Sequence, residues 1–162
     1  LNNSFDFSTA GKYVLPSELA RARFAMINGA IERKRPLPLQ EAVELIDAQN
    51  LDGNRLLKQL LRDNIIGGNK EGEVCYLYPL SMVETEHRVR LADGREFNAM
   101  CAMDSLGCAA TFDMPVEVFS YCRDSGEAVY AKISSEKLEV INPSPSLYVS
   151  YYDCWLEGTF NF

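Results

Sequence analysis

The spacing of apolar side chains changes character once along this chain, and that change constrains the fold more than any other feature. From residue 16 to residue 62 apolar residues recur at helical intervals; beyond residue 64 they fall in short β-branched or aromatic runs separated by turn residues. Pro16-Ser17-Glu18 opens a first helix with Leu19, Phe24, Ile27 and Ile31 near one face, which ends in Glu32-Arg33-Lys34-Arg35 and is stopped by Pro36 and Pro38. A second helix carries Ala42, Val43, Leu45 and Ile46. Asp52 is placed to cap a third, with Leu56, Leu57, Leu60 and Leu61 as its apolar positions. A short strand over 64–66, a glycine-rich turn over 67–72 and a strand from Glu73 to Tyr78 come next.

Three helices followed by a small hairpin is the order of a winged helix-turn-helix, so residues 1–80 read as one winged-helix-like domain. Residues 81–162 read as a second domain, a mixed or antiparallel sheet around a central cysteine-bearing helix, which makes the fold class α+β. In that half Glu86–Leu91 and Arg95–Asn98 flank Asp93-Gly94, a strong hairpin signal. Ala99–Phe112, rich in Ala, Met, Leu and Cys, reads as a buried helix. Val116–Tyr121, Ala128–Ser134, Leu138–Ile141 and Leu147–Tyr152 read as strands, with Ser125-Gly126 as a turn. Charge divides at the same place. Residues 1–80 carry 10 basic and 10 acidic side chains, whereas residues 81–162 carry 6 and 13, so the net charge of −7 belongs to the second half. On the third helix Arg55, Lys58 and Arg62 are offset by Asp52 and Asp63. That is a weak footprint for DNA, and a structural or docking role is the expected one.

Composition excludes several function classes. The single histidine, His87, removes sites that need two, including most catalytic zinc centres. Five cysteines (Cys75, Cys101, Cys108, Cys122 and Cys154) make an odd number with no CxxC pair, unlike a disulfide framework or a zinc ribbon. No stretch approaches the roughly 18–20 apolar residues of a membrane span, and no targeting signal opens the sequence. The expectation is a cytoplasmic protein with reduced thiols and no membrane partner.

The stretch richest in chemistry is Cys101-Ala102-Met103-Asp104-Ser105-Leu106-Gly107-Cys108. Positions three apart share a helix face, so Cys101 and Asp104 can address one site, where a carboxyl group could take the thiol proton and return it. The carboxylate's own charge raises a thiol pKa, so activation needs the helix N-terminus or a metal. On spacing alone, a cysteine in an Ala/Met-rich helix also reads as an inert core residue.

The segment Phe97-Asn98-Ala99-Met100-Cys101-Ala102-Met103-Asp104-Ser105-Leu106 resembles the central motif of the bacterial alkylmercury lyases, the organomercurial lyases. Val118–Val129, with Cys122 before a turn ending in Gly126, and Tyr78-Pro79-Leu80-Ser81 with Thr85 are similar to the segments on either side. In all, roughly residues 15–150 correspond. The resemblance implies protonolysis of a carbon–mercury bond without a cofactor: two thiolates hold the mercury and a carboxyl group protonates the leaving carbon. Soft mercury suits thiolate ligands. By this resemblance Cys101 is the first mercury ligand, Asp104 the proton carrier, and the ionic mercury product passes to a thiol acceptor or a mercuric reductase.

The family's second catalytic cysteine lies late in the chain, before aromatic residues. Here Gly158–Phe162 resembles the residues just after that cysteine, and an ungapped alignment from this tail puts Leu156 at the cysteine position, with Cys154 two residues earlier. A shift of two keeps a strand residue on the same face, so either Cys154 is the second catalytic thiol and mercury ligand, or that thiol is absent. Cys108, about 10.5 Å along a helix from Cys101, is a poor substitute. The chain stops where family members continue, which implies a truncated C-terminus or a shorter homologue. Cys75, Cys108 and Cys122 read as packing or structural residues. His87 reads as a surface or strand-packing residue, and Tyr151, Tyr152 and Trp155 as sheet core or as an apolar cover for the site. Three functions fit these residues: an alkylmercury-lyase-like enzyme using Cys101, Asp104 and Cys154; a non-catalytic thiol-based binder of a soft metal or organometal; and, last, a ligand-sensing transcriptional regulator. The sequence leaves the oligomeric state open.

Overall fold

The computed structural model describes residues 16–134 and 137–143. Helix α1 spans Ser17–Arg33, and its buried face is Leu19, Ala22, Met26, Ile27, Ala30 and Ile31. It ends at Lys34, whose left-handed backbone (φ 54°) directs its N–H to the Ala30 carbonyl at 2.8 Å. Phe24 lies off this face. It is 38% exposed and packs its ring 5.9 Å from that of Phe112, so it bridges to another part of the fold instead of filling the helical core. After the two-residue strand β1 (Leu37–Pro38), α2 (Leu39–Asp47) buries Ala42, Val43 and Ile46. Helix α3 (Gly53–Arg62) buries Leu56, Leu57 and Leu60, and Leu61 is only partly buried. As expected, Asp52 caps α3: its carboxylate accepts the Arg55 N–H at 3.0 Å.

Gly53 explains how tightly α2 and α3 meet. A Cβ there would stand 2.6 Å from the Val43 carbonyl oxygen and 2.7 Å from Asp47 Oδ1, and the same Asp47 oxygen accepts the Gly53 N–H at 2.8 Å. Only a residue without a side chain fits between that carbonyl and that carboxylate.

Strands β2 (Ile66–Gly68) and β3 (Glu73–Leu77) form the hairpin after α3. The first starts two residues later than its apolar run suggests, because Asn64 adopts a left-handed conformation (φ 53°) that ends the helical segment. Then come β4 (Leu80–Ser81), β5 (Arg88–Leu91), β6 (Glu96–Ala99), helix α4 (Ala102–Phe112), β7 (Val116–Tyr121), β8 (Ala128–Ile133) and β9 (Leu138–Asn142). Gly94 supplies the positive φ (89°) for the β5–β6 turn. The expected strand over 147–152 lies outside the described residues.

The strands of the described residues join one antiparallel sheet in the order β1-β3-β4-β6-β5-β7-β8-β9, with β2 paired to β3. Strand β4 is the joint between the helical part and the rest: Leu80 pairs with Leu77 of β3 and with Ala99 of β6. One apolar core runs across this joint, from Met26, Ile46, Leu56 and Leu60 through Leu77, Leu80 and Val89 to Cys108, Ala109 and Phe112. Helix α4 lies against β5, β6 and β7, and Phe112 at its end packs at a tilt, its ring 5.3 Å from that of Phe97 of β6. Arg95 secures the same corner: its guanidinium covers the Phe112 ring at 5.7 Å and donates to Asn28 Oδ1 of α1 at 2.7 Å.

The close approach at Gly53 yields a test. Gly53→Ala forces the α2–α3 turn apart and costs about 1–3 kcal/mol, the usual range for overpacking against rigid atoms, read as a lower urea midpoint with an unchanged slope.

Candidate active site around Cys101 and Asp104

Strand β6 ends at Ala99, and α4 begins at Ala102. The helix therefore starts three residues later than the apolar run from Ala99 predicts, because Ala99 is held in the ladder opposite Leu80. Cys101 is then the N-cap residue, extended at φ −153° and ψ 177°. Its sulfur accepts the Asp104 N–H at 3.4 Å, as a capping side chain does. The same thiol donates to Asp104 Oδ2 at 3.1 Å. The pair thus meets across the first turn of the helix: Cys101 stands outside the helix proper and Asp104 stands within it. Ser105 closes the turn, its N–H donating to the Cys101 carbonyl at 3.0 Å and its hydroxyl to the Ala102 carbonyl at 2.7 Å.

The electrostatics are set by packing. Asp104 is only 7% exposed, and burial raises its pKa above the ordinary carboxyl value, against the pull of the Cys101 hydrogen bond. Cys101 reaches solvent as a residue, yet desolvation of its sulfur pushes the thiol up to about 11, with the hydrogen bond to Asp104 and its negative charge acting the same way. Backbone N–H groups of the helix start favour the thiolate but do not prevail. At neutral pH the resting site is therefore a protonated thiol donating to a buried carboxyl group. Such a pair can pass one proton from sulfur to oxygen and on to a third atom.

Three neighbours complete the surroundings. Cys108, fully buried, donates its thiol to the Asp104 carbonyl at 3.2 Å, and burial pushes it up to about 12. It is a packing residue, as its sequence setting suggests. His87 is partly buried rather than on the surface; its Nδ1 lies 2.8 Å from Ser120 Oγ. Burial lowers its pKa, while the charges of Glu86 and Asp104 act in the opposite direction. Tyr78, prominent in the sequence only as part of a motif, has its pKa raised by burial first and then by the charge of Asp104. Arg23 of α1 donates to the Tyr78 carbonyl at 3.1 Å and sits 5.8 Å from the ring centroid. No sequence signal could reveal this pair, since 55 residues separate its members. Thr85 ties the approach to the site, its hydroxyl donating to the Ala99 carbonyl at 2.7 Å and accepting the His87 N–H at 3.2 Å.

Of the remaining cysteines, Cys75 is buried in β3. Cys122 lies in the β7–β8 turn, where a hydrogen bond from Ser125 holds its thiol below the usual value. Cys154, with Tyr151, Tyr152, Trp155 and Leu156, lies outside the described residues. Among the described residues no group of three or more His, Cys, Asp or Glu side chains could hold a metal ion, and no helix is long and apolar enough to cross a membrane.

The raised carboxyl has a measurable consequence. A group whose folded pKa exceeds its unfolded value contributes stability at low pH. That contribution is lost as pH rises from the unfolded value, here about 3.8, through the folded one. Relative to Asp104→Asn, the wild type loses stability as pH rises from about 4 towards neutrality, by about 1.4 kcal/mol for each tenfold weakening of the acid. Urea unfolding of both proteins across that range reads the difference.

Known proteins resemble parts of this chain. The alkylmercury lyase family model matches residues 80–153. An alkylmercury lyase of Staphylococcus epidermidis (strain ATCC 12228 / FDA PCI 1200) is 30% identical over 70 residues, which are 43% of this chain and 32% of that protein. The match thus spans about a third of that relative's length. Among solved structures, the mercury-bound form of MerB2 superposes with a TM-score of 0.58 at 20% identity, over 78% of this chain and 61% of that one, and so shares the fold. The stretch that holds Cys101 and Asp104 thus lies within the segment, residues 80–153, that is similar to the alkylmercury lyase family.

Proposed function

We propose that the protein cleaves carbon–mercury bonds by protonolysis. The observation that carries this reading is the 3.1 Å hydrogen bond from the Cys101 thiol to Asp104 Oδ2 at the start of α4. The substrate is an organomercurial whose mercury carries a displaceable thiol or halide ligand. Mercury requires a thiolate. As the Cys101 sulfur–mercury bond forms, the bond from mercury to its thiol or halide ligand breaks and that ligand leaves as the anion, while the thiol proton moves to Asp104, whose burial makes it receptive. A second thiol, assigned to Cys154, gives its proton to the displaced anion or to water, and its thiolate adds to the mercury and weakens the bond to carbon. Asp104 then delivers the proton to that carbon. The electron pair of the carbon–mercury bond becomes a carbon–hydrogen bond, the hydrocarbon leaves, and divalent mercury stays on sulfur until a thiol acceptor or a reductase takes it. No redox change occurs, so no cofactor is called for.

The helical part serves as a winged-helix-like platform of residues 1–80 for the catalytic domain of residues 81–162. Its third helix is a poor DNA reader because Arg55 pairs with Glu18 at 2.7 Å and Arg62 with Asp63 at 3.0 Å. A thiol-based binder of soft metals that does not turn over is the second reading, favoured by the offset of Cys154 from the expected position.

Incubation with phenylmercury in excess thiol separates the two. The wild type releases benzene. Cys101→Ser and Asp104→Asn each slow release by about 100-fold or more, the usual scale for removing a proton carrier or a nucleophile, and Asp104→Asn still retains mercury. Retention of mercury by a folded wild type without any benzene supports the binder.

A further inference from the structure

The single histidine takes no part in the proposed protonolysis, yet it stands on the face of the sheet that α4 covers. Strand β5 alternates: Arg88 turns to the far face, over the Phe119 ring at 5.0 Å, while Val89 and Leu91 are buried on the side of α4. His87 continues the α4 face by one step. Its Nδ1 lies 2.8 Å from Ser120 Oγ, and Ser120 follows the buried Val116 and Val118 on the same face of β7. The His87 carbonyl accepts the Ala99 N–H at 2.7 Å, which ties this residue to the strand leading into Cys101.

Three levels of this face match three turns of α4. Leu91 pairs with Val116, Val89 pairs with Val118, and His87 meets Ser120; each level is two strand residues, about 6.8 Å, from the next. Phe112, Cys108 and Asp104 are buried on α4 at steps of four residues, about 6 Å each. Phe112 marks the first level, since its ring lies against the guanidinium of Arg95, whose carbonyl accepts the Leu91 N–H at 2.8 Å. Two turns back along the helix, Asp104 falls at the level of His87 and Ser120. The electrostatics agree. Burial lowers the pKa of the His87 ring, and the negative charges of Glu86 and Asp104 act against it.

We propose that His87, oriented by Ser120, is the relay that returns a proton from solvent to Asp104 after each turnover. The inference rests on the lyase reading, in which the Cys101 proton ends on carbon and Asp104 is left as a carboxylate. When an external thiolate then takes the mercury, the sulfur–mercury bond breaks and its electron pair stays on the Cys101 sulfur. That sulfur needs one proton to regain its resting state. It is desolvated, and Asp104 is 7% exposed, so neither group meets water freely. Ser120 is only partly buried. Its hydroxyl takes a proton from water or a buffer acid and gives its own to one nitrogen of the neutral imidazole. The other nitrogen delivers its proton to Asp104, which hands it to sulfur. His87 thus acts through Asp104 and not on the substrate.

The test separates the first turnover from those that follow. Full-length wild type, His87→Gln and Ser120→Ala are each mixed with excess phenylmercury and excess small monothiol, and benzene is followed by rapid quench. The first turnover uses the proton already held by Cys101, so its rate is unchanged in both variants. Later turnovers in His87→Gln slow by about 10- to 100-fold, the lower range for loss of a proton-transfer group, and added imidazole restores them. Ser120→Ala keeps the ring but not its orientation, and slows them less. Should His87→Gln not fold, Ser120→Ala decides alone by the same comparison of first and later turnovers. A first turnover slowed as much as the later ones, without rescue by imidazole, marks a merely structural role. That result, or later turnovers at the wild-type rate, overturns the relay and leaves the lyase reading standing. A folded wild type that releases no benzene overturns both.

Discussion

The hydrogen bond between the Cys101 thiol and the Asp104 carboxyl group is the contact on which the rest of the site depends. Its geometry comes from a strand-to-helix junction. Ala99 is still in the sheet, Ala102 is already helical, and the two residues between them must turn the chain. At such a junction the N-cap side chain folds back over the first helical turn. Ser, Thr, Asp or Asn usually fills this position; a cysteine there retains the geometry and adds a soft, ionisable atom. Burial then sets the chemistry. It raises both groups, so the proton stays within the pair instead of being lost to water. A thiol in this state is slow to react with hard electrophiles, and it gives up its proton when a soft metal competes for the sulfur.

The remainder of the fold holds that junction from two sides. Strand β4 joins the helical part to the sheet and fixes the level of Ala99, and Phe112 anchors the far end of α4 between Phe24 and Phe97. The helical half thus reaches the site through Arg23 and Tyr78 as well as through the common core. On α3, Arg55 is engaged with Glu18 and Arg62 with Asp63, which suits a packing role.

Much of this was legible in the sequence because the signals are local. Asp52 before a run of leucines, Asp93-Gly94 between alternating segments, and the i, i+3 spacing of Cys101 and Asp104 each encode their own geometry. The features that escaped depend on distant partners. Phe24 has helical spacing with the core residues of α1, yet it turns to Phe112. The start of α4 could not be placed from its alanines and methionines, because the pairing of Ala99 with Leu80 across the sheet decides it. The pairing of Arg23 with Tyr78 leaves no periodic trace at all.

The central claim is that thiol and carboxyl share one proton, and the ionisation of Cys101 tests it most directly. Alkylation of Cys101, followed peptide by peptide against pH, reports the thiolate fraction. The account predicts half-maximal reactivity near pH 11 in the wild type, and a clear downward shift in Asp104→Asn, with several-fold faster alkylation at about pH 8 once the negative charge is gone. Titration near pH 9 or below in the wild type, unmoved by Asp104→Asn, would contradict it.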